Sequence, residues 1–204
     1  GPDTSVSGWM LMALKSGELA GLEVPPETYV HIKGWLKRAR VSDTEPHLFR
    51  YNPFADNDSR RIHGKKSSRT MTAVGLLMRL YLDWDRRSEG MKNGGDYLAD
   101  HLPSMGNSSQ PLNERTRDTY YWYYATQVMF HLGGDYWHTW NGRLQPMLVD
   151  TQIKRGANSG SWDPLKPVAD RWAGQGGRLY VTTLNLLSLE VPYRHLPLYE
   201  DTAK

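Results

Sequence analysis

Carboxylates are the first place to look for chemistry in this sequence, because it contains no cysteine. That absence excludes a cysteine nucleophile, a thiolate metal site, a disulfide and a cysteine thioester. Asp3 stands directly before an apolar run, and Asp83 and Asp85 flank Trp84. A carboxyl kept protonated by burial or by a second carboxylate can act as a general acid, whereas a lone Asp ahead of a helix also serves as its N-cap. The seven histidines are scattered, with no His-x-x-x-His or His-Glu-x-x-His spacing, and a glycine turn separates His131 from His138. They read as structural histidines, so no metal and no cofactor are expected. The remaining chemical signal is aromatic: Tyr120, Tyr121, Trp122, Tyr123 and Tyr124 run consecutively. Consecutive residues cannot all face one way on a helix. They either pack between helices as core, with Tyr hydroxyls capping polar groups, or line a cavity where their faces can stabilise a cation or hold an apolar ligand. Tyr120, Trp122, Tyr123, Tyr124, Gln127 and Tyr180 are therefore the candidate ligand-binding residues.

Charge narrows the partners. Twenty-five basic residues nearly balance 22 acidic ones, and a net charge of +3 does not imply specific nucleic-acid binding. The cluster Arg60, Arg61, His63, Lys65, Lys66 and Arg69 lies in a stretch without helical period and reads as a solvated loop. Gly174-Gln175-Gly176-Gly177-Arg178 lacks the Lys-Ser/Thr and the preceding strand of a phosphate loop, and reads as a flexible helix entry. No apolar run approaches the ~20 residues needed to cross a bilayer. Gly1-Pro2 reads as the scar of a cleaved tag, leaving 3–204 as one domain. Nothing in the sequence names a compartment or an oligomeric state.

The elements that must position these residues are helices. A hydrophobic content of 39% supplies a sizeable core. Segments 3–16, 71–83, 118–132 and 179–190 are apolar nearly all round and are expected to be buried. Segments 27–40, 90–102 and the run marked by Trp137, Trp140, Leu144, Met147 and Leu148 carry one apolar stripe, as outer helices do. Pro146 is expected to kink or break the last of these. Val181-Thr182-Thr183 would suit a strand as well as a helix, and the alternation of buried and striped segments decides for helix. The small residues Gly8, Gly75, Ala125 and Thr182 align the four buried segments and suggest close approach between neighbouring helices, in a stack of helical hairpins.

At this point the residues become more specific. Asp3-Thr4-Ser5-Val6-Ser7-Gly8-Trp9 resembles the start of an inner helix in the squalene-hopene cyclase and protein prenyltransferase repeat family. So do Met71-Thr72-Ala73-Val74-Gly75, the segment 120–129, and Arg178-Leu179-Tyr180-Val181-Thr182-Thr183. Gln152 followed by Gly160-Ser161-Trp162 is similar to that family's Gln-Gly-Trp motif, with extra residues before the glycine. The resemblance implies an all-α fold, an α/α toroid whose inner helices line a cavity, here as a partial ring. It also implies that any inner helix lacking a neighbour exposes an abnormally apolar face.

The resemblance offers two functional readings. In the first, the chain is a non-catalytic toroid module that holds a peptide, a protein partner or an apolar ligand in an aromatic-lined concave pocket. In the second it is a fragment of a class II-type terpenoid cyclase, an isomerase or lyase. The family's Asp-x-Asp-Asp acid is then represented by Asp3 alone, with the aromatic residues as carbocation-stabilising wall. The zinc of the prenyltransferases needs a cysteine this chain lacks. A carbohydrate-processing α/α barrel would need a paired acid and base, for which the sequence offers no placement.

Overall fold

The computed structural model describes residues 3–55, 62–82, 85–107, 109 and 117–194. Seven α-helices account for the regular structure: α1 (Thr4–Leu19), α2 (Pro26–Ala39), α3 (Arg69–Tyr81), α4 (Glu89–Ala99), α5 (Thr119–Leu132), α6 (Gly134–Thr151) and α7 (Ala173–Arg194). Among the described residues there is no strand, only isolated bridges between Arg40 and Phe49 and between Arg50 and Ser67. The chain is all-α. Its contacts gather into two compact units, Gly1–Leu98 and Ala99–Lys204.

In the first unit α1 packs against both α3 and α2. Local sequence sets the helix ends. Asp3 and Ser68 adopt extended backbone and cap α1 and α3 by accepting from the N–H of Val6 (2.8 Å) and Met71 (3.1 Å). Pro26 opens α2 at a position whose N–H has no helical partner. Every residue of α3 from Thr70 to Leu80 is buried, as its all-round apolar pattern requires. Its central Gly75 lies under the Phe49 ring, and a Cβ at Gly75 would fall inside that ring. Gly94 of α4 is likewise closed over by the Leu76 side chain, at 2.6 Å from the position a Cβ would take. The small residue on α3 thus makes room for a loop phenylalanine rather than for a neighbouring inner helix.

The second unit repeats the scheme, with α5 packed against α6 and α7. Asp118 caps α5 by accepting from Tyr121 N–H at 3.1 Å. Gly133, with φ of 71°, ends α5 and starts α6 in one residue, a conformation that favours glycine. Pro146 does not break α6, which continues to Thr151. Pro146 and its i−4 residue Gly142 are both exposed, so water can solvate the carbonyl that loses its partner. α7 is interrupted at Gly177 (φ 60°, ψ −157°), so its regular part begins at Arg178.

One expectation fails in an informative way. α3 and α5 are buried almost throughout, but α1 buries only Thr4, Gly8 and Leu11. Val6 (52%) and Met10 (58%) are exposed, with Trp9 and Ala13 beside them. α7 buries the stripe Val181, Leu184, Asn185, Ser188 and Val191 and exposes Leu179 (80%), Leu186 and Tyr193 (87%). An apolar pattern all round the helix marks the chemistry of its faces, and burial requires a neighbour for each. The main helix contact of α7 is with α5, and those of α1 are with α3 and α2.

The glycine under Phe49 gives a direct test of the first unit. Gly75→Ala should lower stability by about 1–3 kcal/mol through overpacking. In denaturant unfolding, Gly75→Ala combined with Phe49→Leu should cost less than the sum of the two single changes.

Candidate functional site

Asp3 is 9% exposed, and both of its carboxylate oxygens are engaged. Oδ1 accepts from Val6 N–H and Oδ2 accepts from the Tyr51 hydroxyl at 2.8 Å. Thr4 completes the joint: its N–H donates to the Tyr51 carbonyl (2.9 Å), its hydroxyl donates to the Arg50 carbonyl (2.7 Å), and Trp35 Nε1 donates to that hydroxyl (3.3 Å). Asp3-Thr4 therefore latches the first turn of α1 to the segment around Tyr51. Asp83 and Trp84 lie outside the described residues, as do Arg60, Arg61 and the His63 side chain. Asp85 is exposed and shapes a turn, accepting from Arg87 N–H at 2.8 Å. His138 is exposed and His131 is buried. No group of three or more potential metal-ligating residues occurs among the described residues.

The aromatic residues divide as helical geometry requires. Tyr120, Tyr123, Tyr124, Gln127 and His131 recur with the spacing of one stripe of α5. The Tyr120 and Tyr124 rings are 5.0 Å apart, and those of Tyr123 and Tyr124 are 5.3 Å apart. Tyr121 and Thr126 instead face α6, where Trp140 packs edge-on to Tyr121 and its Nε1 donates to Thr126 Oγ1 at 2.9 Å. Trp122 is not on the tyrosine stripe. Tyr180 of α7 stands in the field of Tyr120, Asp118 and Asp170, and burial together with these groups pushes its hydroxyl far above the usual range. Burial also raises the Tyr123 hydroxyl, against the pull of nearby Arg194. The candidate residues on α5 are packed rather than open: Tyr120 is 9% exposed and Trp122, Tyr123, Tyr124 and Gln127 less.

A polar cluster at the N-terminus of α5 was not visible in the sequence. Arg117 is 1% exposed, and its guanidinium donates from Nη1 to the carbonyls of Lys166 (2.7 Å) and Val168 (2.6 Å) and from Nη2 to that of Asp163 (2.6 Å). Burial lowers its pKa, while Asp170 and Asp163 oppose the shift. Asp170, 2% exposed, accepts from Thr119 N–H (3.0 Å) and from Trp172 N–H (2.9 Å). Asp118 is fully buried, and its second oxygen lies 4.0 Å from the Arg171 guanidinium. Two carboxylates thus share one helix end, Asp170 serving Thr119 N–H and Asp118 serving Tyr121 N–H. Burial raises the Asp170 pKa, and Asp118 adds to the shift. Both carboxyls accept from backbone amides, and Arg171 lies beside Asp118, an arrangement that anchors the helix end.

The Gln-Gly-Trp segment is also a joint. Gln152 Nε2 donates to the Gly160 carbonyl (3.0 Å), and the Trp162 indole donates to the Leu148 carbonyl (2.9 Å), satisfying a group at the C-terminus of α6. Trp162 N–H donates to Thr182 Oγ1 of α7 at 3.2 Å. The extra residues form a closed loop in which Ile153 N–H donates to Ser161 O and Gly160 N–H to Ile153 O. Arg178, from the glycine-rich run, pairs with Asp163 at 3.3 Å. Only the Asp118-Thr119 repetition of Asp3-Thr4 could have pointed to the α5 cluster; Arg117 and Asp170 carry no local pattern. Against known proteins, the chain matches no family model, no curated protein and no solved structure.

The cluster predicts a pH dependence with a definite sign. A carboxyl whose pKa is higher folded than unfolded binds its proton more tightly when folded. Its contribution is therefore full below the ordinary carboxylate value and is lost as pH rises through the folded pKa. Unfolding titrations should show this fall above the ordinary range, and Asp170→Asn should remove it. Arg117→Met, which strands three carbonyls, should cost about 3 kcal/mol or more.

Proposed function

We propose that this chain is a non-catalytic binding module whose open helix faces, on α1 in the first unit and on α7 in the second, each dock an apolar helical partner. The observation that carries this reading is the solvent exposure of one uncharged and one nearly uncharged stripe. On α1 the stripe is Val6, Trp9, Met10 and Ala13; on α7 it is Leu179, Thr183, Leu186, Glu190 and Tyr193. Contiguous apolar surface of this kind marks interaction sites. The aromatic residues of α5, closed by packing, serve here as core rather than as the wall of an open pocket.

What supports the resemblance to the cyclase and prenyltransferase repeat is the way Gln152, Gly160 and Trp162 tie α6 to α7. The cyclase reading rests on Asp3 as acid, and the bonds to Val6 and Tyr51 favour a cap instead. Incubation with squalene or polyprenyl diphosphates should give no cyclic product by mass spectrometry, and Asp3→Asn should alter stability by about 1 kcal/mol or less. Cyclic product that disappears in Asp3→Asn would overturn the proposal. Val6→Glu/Met10→Glu and Leu179→Glu/Leu186→Glu should each reduce the fluorescence enhancement of a bound hydrophobic dye without changing helicity. Unchanged dye binding in both would contradict docking at these faces.

A further inference from the structure

The buried stripe of α7 contains one residue that packing does not explain. Asn185 is 1% exposed between Val181, Leu184, Ser188 and Val191, on the helix that packs against α5. Neither its Oδ1 nor its Nδ2 has a hydrogen-bond partner among the described residues. Two other buried hydroxyls on these helices are satisfied: Ser188 donates to the Leu184 carbonyl (2.8 Å) and Thr126 donates to the Trp122 carbonyl (2.6 Å). α5 carries further buried side-chain atoms with no hydrogen bond among the described residues, including Gln127 Oε1, Trp122 Nε1 and Thr119 Oγ1, but only at Asn185 are both ends of an amide left so. An amide stripped of water with no replacement partner is less stable than a leucine in the same place. In native proteins such groups are met by ordered water or a ligand.

We propose that the α5–α7 seam holds a hydroxyl group hydrogen-bonded to Asn185. A hydroxyl donates to Oδ1 and accepts from Nδ2, so one group supplies both functions the amide lacks. Two sources share this chemistry, an ordered water and the head of an apolar alcohol whose tail lies among the aliphatic neighbours Val181, Leu184 and Val191. This site is independent of docking at the open faces of α1 and α7.

The test uses the whole chain with isotope-labelled Asn side chains. The expected result is magnetisation transfer from water to the Asn185 Nδ2 protons, together with a fall in Tm of about 3 °C or more in Asn185→Leu. Titration with 1-octanol separates the sources: a saturable shift of the Nδ2 resonances with loss of the water signal identifies an alcohol head, and a water signal that persists identifies water. The proposal is overturned if Asn185 shows neither water transfer nor an octanol shift and Asn185→Leu raises Tm, as filling a dry seam with leucine would. The wild-type spectra decide the matter should Asn185→Leu not fold, or should the two measurements disagree.

Discussion

The second unit depends on how one helix end is kept satisfied away from water. The first N–H groups of an α-helix have no partner within the helix, and α5 begins in the interior, where water cannot supply one. Asp118 and Asp170 meet Tyr121 and Thr119 N–H, and both carboxylates are buried in doing so. Burial and the nearby Asp118 push the Asp170 pKa up, and cations beside the joint oppose that rise. Arg117 brings one, with its guanidinium held by three carbonyls of the segment 163–168. Arg171 brings another at the solvent side, 41% exposed and stacked over Trp172. The irregular segment from Asp163 to Trp172 is thereby fixed to α5 before it enters α7. The tyrosine stripe and Tyr180 take their positions from that anchor.

The first unit solves the same problem with fewer charges. Asp3 caps α1, and the Tyr51 hydroxyl, the Arg50 and Tyr51 carbonyls and the Trp35 indole gather around Asp3-Thr4. In both units an Asp-Thr pair opens a helix and a distant irregular segment is tied to it. This shared role accounts for the recurrence of the pair in the sequence: in each, a carboxylate oxygen caps the helix by accepting from a first-turn amide.

The helices were legible because their signals are local. Apolar period, the Asp3 cap, the Pro25-Pro26 start and the Gly133-Gly134 turn place all seven elements near their observed positions, and Val181-Thr182-Thr183, ambiguous by period, lies in a helix as the alternation suggested. What was not legible depends on neighbours distant in sequence. Gly75 looked like a helix–helix contact, but its space belongs to Phe49. α1 reads as a core helix from its residues, yet three of them are buried, because burial is a property of what stands opposite. Arg117 and Asp170 are far apart in sequence, and neither has a pattern that betrays a shared burial. Of the candidate site, the consecutive aromatic run was legible as residues that either pack as core or line a cavity, and the structure buries Tyr120, Trp122, Tyr123 and Tyr124.

The central claim is that the α5 terminus is locked by Asp118, Asp170 and Arg117, so that it behaves as core. Native-state hydrogen exchange resolved at the amides of Thr119, Tyr121 and Trp172 tests this most directly. The account predicts protection at these three amides equal to that of mid-helix Val128 and Met129, and a joint loss at Thr119 and Trp172 in Arg117→Lys, whose ammonium cannot reach three carbonyls at once. Exchange at Thr119 and Tyr121 as fast as at a frayed helix end in the unaltered protein would contradict it.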